Sequence, residues 1–375
     1  MASFRLPRFL LLVSLANIAV VIHPVGTLAK SKNAGQQKHK PFFVFGDSAF
    51  DPGNYQYLDG VDQKGPLAYA WPYGQHFSSG AIGRHSHGRI VPDFIADNAN
   101  LGLIPPCLAP GVNFINGVNF ASAGAGVFTD NSGAMNMEQQ MRKFEEVRAW
   151  FVHKLGAEPA RKTLKRAVYL FGFGSKEYLS LYLSGRNTSK SSQRKYAEMV
   201  VGNITDAFLE IYNAGGRKFG FQNVGPLGCL PMLRATESSE NADACVEELN
   251  SMARKHNKAL AGTLKRLGSL LPGLKHSIFD YYGALMDRIH NATKYGLEEG
   301  KEPCYRAKEL NGGMMMNWEG NNWMEQYMLC QNSSLYVFFD GIHTTEAVNS
   351  QLAELMWDGP SSITQPSTLK QFFQL

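Results

Sequence analysis

The sequence predicts an α/β fold in which a central parallel β-sheet is covered by helices on both faces. Short apolar runs have the length of buried parallel strands, and they lie at 42–45, 118–121, 167–171, 218–222 and 277–281. Longer amphipathic patterns with helical spacing alternate with these runs, at 137–154, 192–213 and 242–271. This alternation is typical of a parallel sheet between helical layers, and such a sheet binds ligands beyond the carboxyl ends of its strands.

The first 29 residues have the features of a secretory signal peptide. Arg5 and Arg8 give a positive start, an apolar stretch runs from Phe9 to about Ile22, and 27–29 supply small residues for cleavage. The stretch is shorter than the roughly 20 residues that a membrane-spanning helix needs, which favours a signal peptide over an anchor. We expect export and no transmembrane segment.

The rest of the chain is expected to form one domain. Residues 30–40 are polar and basic, and we predict a flexible lead-in there. No linker rich in Pro, Gly or Ser divides 41–375, which is therefore predicted to be a single α/β domain.

The charge of the chain is mildly basic. The formal net charge of +5 falls to +3 without the signal peptide, which holds Arg5, Arg8 and no acidic residue. No clustered Lys/Arg stripe of the kind that binds nucleic acid is present, so we expect no nucleic-acid partner. Attraction to an acidic polysaccharide stays open.

Glycosylation sequons agree with export, and they begin at Asn187, Asn203, Asn291 and Asn332. Together with the signal peptide they favour a secreted glycoprotein.

The 5 cysteines are too few to build the fold, so a hydrophobic core must stabilise it. In an oxidising compartment we expect Cys229 to pair with Cys245 and Cys304 with Cys330. Cys107 then remains as a buried, inert thiol. No closely spaced Cys/His set suggests zinc, and we expect no metal and no cofactor.

The first predicted strand ends in Gly46-Asp47-Ser48, followed by Asp51-Pro-Gly53-Asn54. Glycine permits a sharp turn there, and the serine hydroxyl can then face a cleft at the end of the strand. An ordinary loop serine is the more frequent outcome of such a motif taken alone. A serine nucleophile also needs a base and an acid that orients the base.

Near the other end of the chain, Asp340 and His343 stand three residues apart between an aromatic run and the helix-like segment 346–357. A tight turn can bring their side chains together. The carboxylate would then fix the imidazole tautomer and stabilise the imidazolium that forms during proton transfer. A lone pair of this kind is more often a surface or capping arrangement.

These motifs together resemble the plant GDSL esterase/lipase family. The resemblance rests on motifs that occur in the family's order along the chain, and they lie at 46–54, 71–74, 83–94, 117–124, 225–231 and 340–343. It covers nearly the whole chain after the signal peptide. The segments 137–144 and 338–343 are most similar to the myrosinase-associated, epithiospecifier-modifier-like branch.

The resemblance implies a three-layer α/β/α flavodoxin-like sandwich, as in SGNH hydrolases, in which a serine attacks a carboxylic ester. It implies Ser48 as nucleophile, His343 as general base and then acid, and Asp340 as its orienting carboxylate. The backbone N–H groups of Ser48 and Gly124 are the implied oxyanion donors.

The sequence departs from the family at one point of this site. The family's third motif is Gly-x-Asn-Asp-Tyr, whose asparagine donates to the oxyanion, whereas this chain has Gly174-Ser-Lys176-Glu177-Tyr178. Loss of one such donor costs on the order of 10²–10³ in rate. Lys176 can replace the donor, disturb His343 or point to solvent.

Three functions therefore stay open: an ester hydrolase, an acyltransferase that uses the same triad, and a catalytically inactive binding protein. An adaptable apolar rim at Met314–Met316 for an acyl chain is possible, but a loop anchored on the core is the better prediction. His85 and His87 are expected at the surface rather than as ligands. Gly172-x-Gly174 is not followed by a third glycine at 177, which excludes a dinucleotide fingerprint.

Overall fold

The computed structural model describes residues 40–58, 67–130, 133–185, 189–235, 244–307 and 327–374. The signal peptide and most of the lead-in lie outside these ranges, as do Asn187 and Met314–Met316, so the domain boundaries and these assignments stay predictions. No helix within the described ranges is long and apolar enough to cross a membrane.

The strands of the described residues are β1 (Phe42–Gly46), β2 (Gly117–Asn119), β3 (Val168–Gly172), β4 (Lys218–Gln222), β5 (Lys275–Phe279), β6 (Glu299–Pro303), β7 (Tyr305–Ala307), β8 (Tyr327–Leu329), β9 (Tyr336–Phe338) and β10 (Thr364–Gln365). The helices are α1 (Val91–Asn98), α2 (Met137–Leu155), α3 (Ala157–Arg166), α4 (Ser175–Leu183), α5 (Lys190–Asn213), α6 (Pro231–Arg234), α7 (Glu247–Leu270), α8 (Tyr281–His290), α9 (Glu346–Asp358) and α10 (Leu369–Gln374).

The main sheet has the strand order β10-β5-β4-β3-β1-β2. The pairs among β1 to β5 are parallel, and β10 joins β5 antiparallel at the edge. The order 2-1-3-4-5 is that of a flavodoxin-like fold, and it places the switch in winding direction between β1 and β3. The predicted α/β fold with a central parallel sheet is confirmed.

Aromatic side chains fix the register of the sheet. Phe43, Tyr169 and Phe219 stack across β1, β3 and β4 with ring centroids 5.4 and 5.2 Å apart. Phe144 of α2 packs edge-on against Phe43 on that face of the sheet. Phe42 of the opposite face packs against Phe373 of α10. Because successive strand residues point to opposite faces, the sheet is buried between two helical layers.

One predicted strand is displaced. The sequence predicts a strand at 277–281, whereas β5 is Lys275–Phe279 and α8 begins at Tyr281. Asp280 causes the change, because its side chain accepts the N–H of Gly283 and caps the helix at this point.

Disulfides join Cys229 to Cys245 and Cys304 to Cys330. Cys107 is a free, half-buried thiol, and burial raises its pKa well above the usual range. Asn291 and Asn332 are exposed, whereas Asn203 lies half-buried on α5, where its side-chain amide donates to the carbonyl of Met199.

Candidate active site

Ser48 lies in the turn that follows β1, at the carboxyl end of the sheet. The buried side chain of Gln140 holds this turn from below. Its amide donates to the carbonyl of Gly46 at 2.8 Å, and its carbonyl accepts the N–H of Gly46 at 3.0 Å. The N–H of Asp47 donates to Gly172 O at the end of β3, so the turn lies at the switch point of the sheet.

The structure brings Asp340 and His343 to this serine. His343 Nε2 lies 2.8 Å from Ser48 Oγ, and His343 Nδ1 lies 2.8 Å from Asp340 Oδ2. The two residues belong to one tight turn between β9 and α9, as their spacing predicts. A chain of hydrogen bonds therefore runs from the serine hydroxyl to a buried carboxylate.

Asp340 accepts further hydrogen bonds that keep it charged. The backbone N–H groups of Ile342 and His343 donate to Oδ1 at 2.8 and 2.7 Å, and the Tyr73 hydroxyl donates to Oδ2 at 2.7 Å. Burial raises the pKa of Asp340, but the neighbouring imidazole and these N–H donors outweigh it and hold the pKa below its ordinary value. The carboxylate is thus fixed in position and ionised.

The backbone N–H groups of Ser48 and Gly124 belong to residues that line one cavity. Gly124 adopts a φ of +73° in the turn after β2, a conformation that favours glycine. Within the described ranges, neither the N–H of Ser48 nor that of Gly124 donates to a protein acceptor. Both donors are therefore available to a ligand.

Lys176 stands at the start of α4, on the rim of this cavity. Its ammonium pairs with the Asp130 carboxylate, with Nζ 2.6 Å from Oδ2. Both side chains are partly exposed, so water screens the pair. The ammonium is thus engaged with a carboxylate of the loop at 128–130 rather than with the triad.

Glu177, the next residue, is buried and binds the loop that carries Gly124. Its Oε1 accepts the N–H of Val127 at 2.7 Å, while its buried Oε2 has no partner in the described part of the chain. Burial raises the pKa of Glu177 to about 7. The residue therefore fixes the 124–127 loop through one oxygen only.

Fully buried polar side chains tie the serine turn to the loop after β2. Asp51 Oδ1 accepts the N–H groups of Gly53 and Asn54, and its Oδ2 accepts the N–H of Ala123 at 2.7 Å. The Asn54 amide donates to the carbonyls of Asn119 and Ala121, both at 2.8 Å. Because Ala123 precedes Gly124, these bonds set the distance between Ser48 and the Gly124 donor.

A cavity of about 520 Å³ opens beside the triad, a size common for small-molecule sites. Apolar side chains form part of the lining of this cavity, and they include Leu179, Leu183, Leu230, Met232 and Leu285. Such a wall can accommodate a hydrocarbon chain.

The expectation that His85 and His87 lie at the surface is wrong. His85 lines the cavity, where its ring centroid is 4.7 Å from that of His343. Burial lowers the pKa of His85 to about 3, so it is neutral near neutral pH. His87 is fully buried. Their motif folds inward because the buried ion pair between Arg84 and Asp93 fixes its backbone.

Sequence reasoning assigned no role to several residues that position this site. Tyr73 and Gln140 lie within segments 71–74 and 137–144, which carry the family resemblance. Their neighbours in the sequence do not indicate that Tyr73 contacts Asp340 or that Gln140 contacts Gly46. Buried polar residues next to a motif are the feature that could have identified them.

The sequence matches a known family over most of its length. The sequence profile described as GDSL-like Lipase/Acylhydrolase matches residues 42–356. The chain belongs to this family. The matched residues include both Ser48 and His343, together with the motifs between them.

Relatives within the family cover most of this GDSL protein. GDSL esterase/lipase 1 of Arabidopsis thaliana is 40% identical, over 89% of this chain and 90% of that protein. A GDSL lipase of Tanacetum cinerariifolium is 38% identical, over 94% of this chain and 91% of that one. A third relative, the Arabidopsis thaliana protein named Inactive GDSL esterase/lipase-like protein 25, is 33% identical over 89% of this chain and 74% of its own length.

A lipase from a goat rumen metagenome is a similar solved structure, with 13% sequence identity and a TM-score of 0.35 over 84% of this chain and 94% of that one. These values are too low to carry an argument about substrate. The placement in the myrosinase-associated branch stays a prediction.

Proposed function

We propose that this GDSL protein is a secreted carboxylic ester hydrolase that uses Ser48 as nucleophile. The observation that carries the proposal is the continuous hydrogen-bond chain from Ser48 Oγ through His343 to Asp340. His343 Nε2 takes the serine proton as Oγ attacks the ester carbonyl, and the alkoxide leaves with that proton. Water then attacks the acyl-enzyme by the same route, which releases the acid.

The oxyanion of each tetrahedral intermediate would be stabilised by the N–H groups of Ser48 and Gly124. The ion pair with Asp130 supports a position of the Lys176 ammonium outside this hole. Because the asparagine donor of the family pattern is replaced, we expect turnover on the order of 10²–10³ below that of an enzyme with all three donors.

A substrate with a hydrocarbon acyl chain fits the cavity. Leu179, Leu183 and Leu285 line the same cavity as Ser48 and His343 and give it apolar surface. Acyl transfer to an alcohol would use the same residues, with the alcohol in place of water.

The predicted signal peptide, the two disulfides and the exposed Asn291 and Asn332 support export as a glycoprotein. We propose these two asparagines as the preferred glycosylation positions, because the Asn203 amide is already hydrogen-bonded on α5.

A second candidate function is a catalytically inactive binding protein. Lys176 in place of the family asparagine favours it, and one relative carries the word inactive in its name. Such a protein would retain the cavity and bind an ester or acid without turning it over.

Hydrolysis of p-nitrophenyl acetate and butyrate by the purified glycoprotein tests the proposal against Ser48→Ala. We expect turnover that the substitution reduces by about 10³-fold or more. Ser269→Ala is the matched control, because it removes an exposed hydroxyl on α7 and should leave turnover unchanged. Folded protein whose rate equals that of Ser48→Ala would overturn the proposal for simple esters and favour the binding protein.

A further inference from the structure

A second cluster of polar side chains lies where the loop at 73–87 meets the first residue of α9. His76, His87 and Glu346 each present one atom able to bind a metal, and these three atoms lie within 4.8 Å of one another. The His76 and His87 rings meet edge-on with centroids 4.6 Å apart, and His76 Nδ1 contacts Glu346 Oε2. Within the described ranges this is the one group of three such residues.

His87 is the unusual member of this cluster. Its side chain is fully buried, yet neither ring nitrogen has a hydrogen-bond partner in the described part of the chain. Almost all buried polar atoms of folded proteins have a partner, and one left without costs about 1–3 kcal/mol. A neutral imidazole nitrogen without a proton donor is also the form that binds a metal. The orphaned ring therefore points to a ligand.

We propose that His76, His87 and Glu346 bind a divalent transition-metal ion, with Zn²⁺ the best match. Two imidazoles and a carboxylate suit zinc, which often takes three protein ligands and a water in a tetrahedral site. Zinc–ligand bonds of about 2.0–2.1 Å require donor atoms roughly 3.4 Å apart. The longer distances within the cluster, up to 4.8 Å, must therefore shorten, whereas the contact between His76 Nδ1 and Glu346 Oε2 must lengthen. The side chain of His76 is half exposed and can make that movement.

Arg89 orients one of the proposed ligands and also lowers the expected affinity of the site for a metal. Its guanidinium Nε lies 3.0 Å from Glu346 Oε1, which orients the carboxylate and leaves Oε2 for the metal. The same positive charge opposes a bound cation. We therefore expect micromolar rather than nanomolar affinity.

A metal at this site would not contact the reacting ester. It would affect the triad by holding the backbone segments near Asp340 and His343 in place. Glu346 is the first residue of α9, three residues after His343, and Ser86 Oγ donates to the carbonyl of Thr344 at 3.2 Å. A metal bound to His76, His87 and Glu346 would fasten the loop at 73–87 to the segment that carries Asp340 and His343. It would stabilise the folded protein whether or not esters are hydrolysed.

The test is zinc binding by the full secreted chain, purified without a polyhistidine tag and stripped with a chelator. Titration calorimetry with ZnCl₂, metal analysis after dialysis and thermal unfolding give stoichiometry, affinity and stabilisation. We expect about one Zn²⁺ per chain, a melting temperature raised by a few degrees, and for His76→Ala affinity weakened roughly tenfold or more. His153→Ala, which removes an exposed histidine of α2, is the matched control.

Glu346→Gln provides a second variant that leaves both histidines in place, and it should weaken binding as His76→Ala does. Visible absorption of bound Co²⁺ reports the coordination number and should indicate a tetrahedral site. Absence of zinc at micromolar concentration, or equal binding by wild type and His76→Ala, would overturn the proposal. Because no measurement uses an ester, this result is independent of the proposed hydrolase.

Discussion

On one side of the Ser48 hydroxyl lie the residues that handle its proton, and on the other lie the groups that would receive the negative charge. The proton side is complete, because His343 and Asp340 are in hydrogen-bond contact and Tyr73 supports the carboxylate. The charge side has two backbone donors and a lysine engaged with Asp130. The departure from the family pattern at Lys176 thus concerns the proposed oxyanion hole, while the residues proposed to transfer the proton are in hydrogen-bond contact.

The largest expected effect is on kcat, and it comes from replacing Lys176 by the asparagine of the family motif. We expect Lys176→Asn to raise kcat for p-nitrophenyl butyrate by about 10²-fold, because a neutral donor would then complete the oxyanion hole. Steady-state kinetics of purified variants measures the gain. Lys176→Ala is the control, since it removes the ammonium without adding a donor. Its kcat should rise much less than that of Lys176→Asn. A fall in kcat for Lys176→Asn would show that the lysine itself takes part in the chemistry.

The proton side can be weakened through a residue that does not touch the substrate. Tyr73→Phe removes the hydroxyl that donates to Asp340 Oδ2 and keeps the ring that packs against Phe339. We expect kcat to fall roughly tenfold, because a hydrogen bond to a charged group contributes about 1.5–3 kcal/mol and Asp340 retains its other donors. The acidic limb of the pH–rate profile should move with it. An unchanged profile would assign Tyr73 a purely structural role.

The third prediction concerns Glu177, whose buried carboxyl should affect stability rather than the chemistry at Ser48. Its folded-state pKa of about 7 lies above the unfolded value of about 4.3, so the folded state holds the proton more tightly. That contribution to stability is fully present below about pH 4 and is lost as the pH rises through about 7. Glu177→Gln keeps an acceptor for Val127 and cannot titrate.

Between pH 5 and 8 the unfolding free energy of wild type should therefore fall by about 2.5 kcal/mol more than that of Glu177→Gln. Urea unfolding at the two pH values measures this difference. Glu198→Gln, an exposed carboxyl on α5, is the matched control and should follow wild type. Equal pH dependence of Glu177→Gln and wild type would contradict the raised pKa.

Most of the sheet could be predicted from the sequence because its strands are continuous buried apolar runs. The segment 218–222 is β4 without change, and 42–45 is one residue shorter than β1. The prediction of a strand at 277–281 extended too far because Ile278, Phe279 and Tyr281 favour a strand, whereas Asp280 caps a helix that begins at Tyr281. The short strands β6 to β9 depend on pairing partners that local patterns do not show.

The candidate site was predictable where its residues are close in sequence. Asp340 and His343 share one turn, and Ser48 follows a recognisable strand. The supporting contacts join distant residues, as from Tyr73 to Asp340, which are 267 positions apart, and from Gln140 to Gly46, which are 94 apart. Only the folded topology brings such pairs together, and the cluster of His76, His87 and Glu346 was missed for the same reason.

The distance along the chain between Ser48 and His343, 295 positions, has a consequence for timing. The nucleophile is synthesised first and its base near the end, so a growing chain on the ribosome holds an exposed serine that nothing can activate. Hydrolytic power would arise only once the last tenth of the chain has folded onto the sheet. The proposed hydrolase would thereby stay inactive towards any ester until its synthesis is complete.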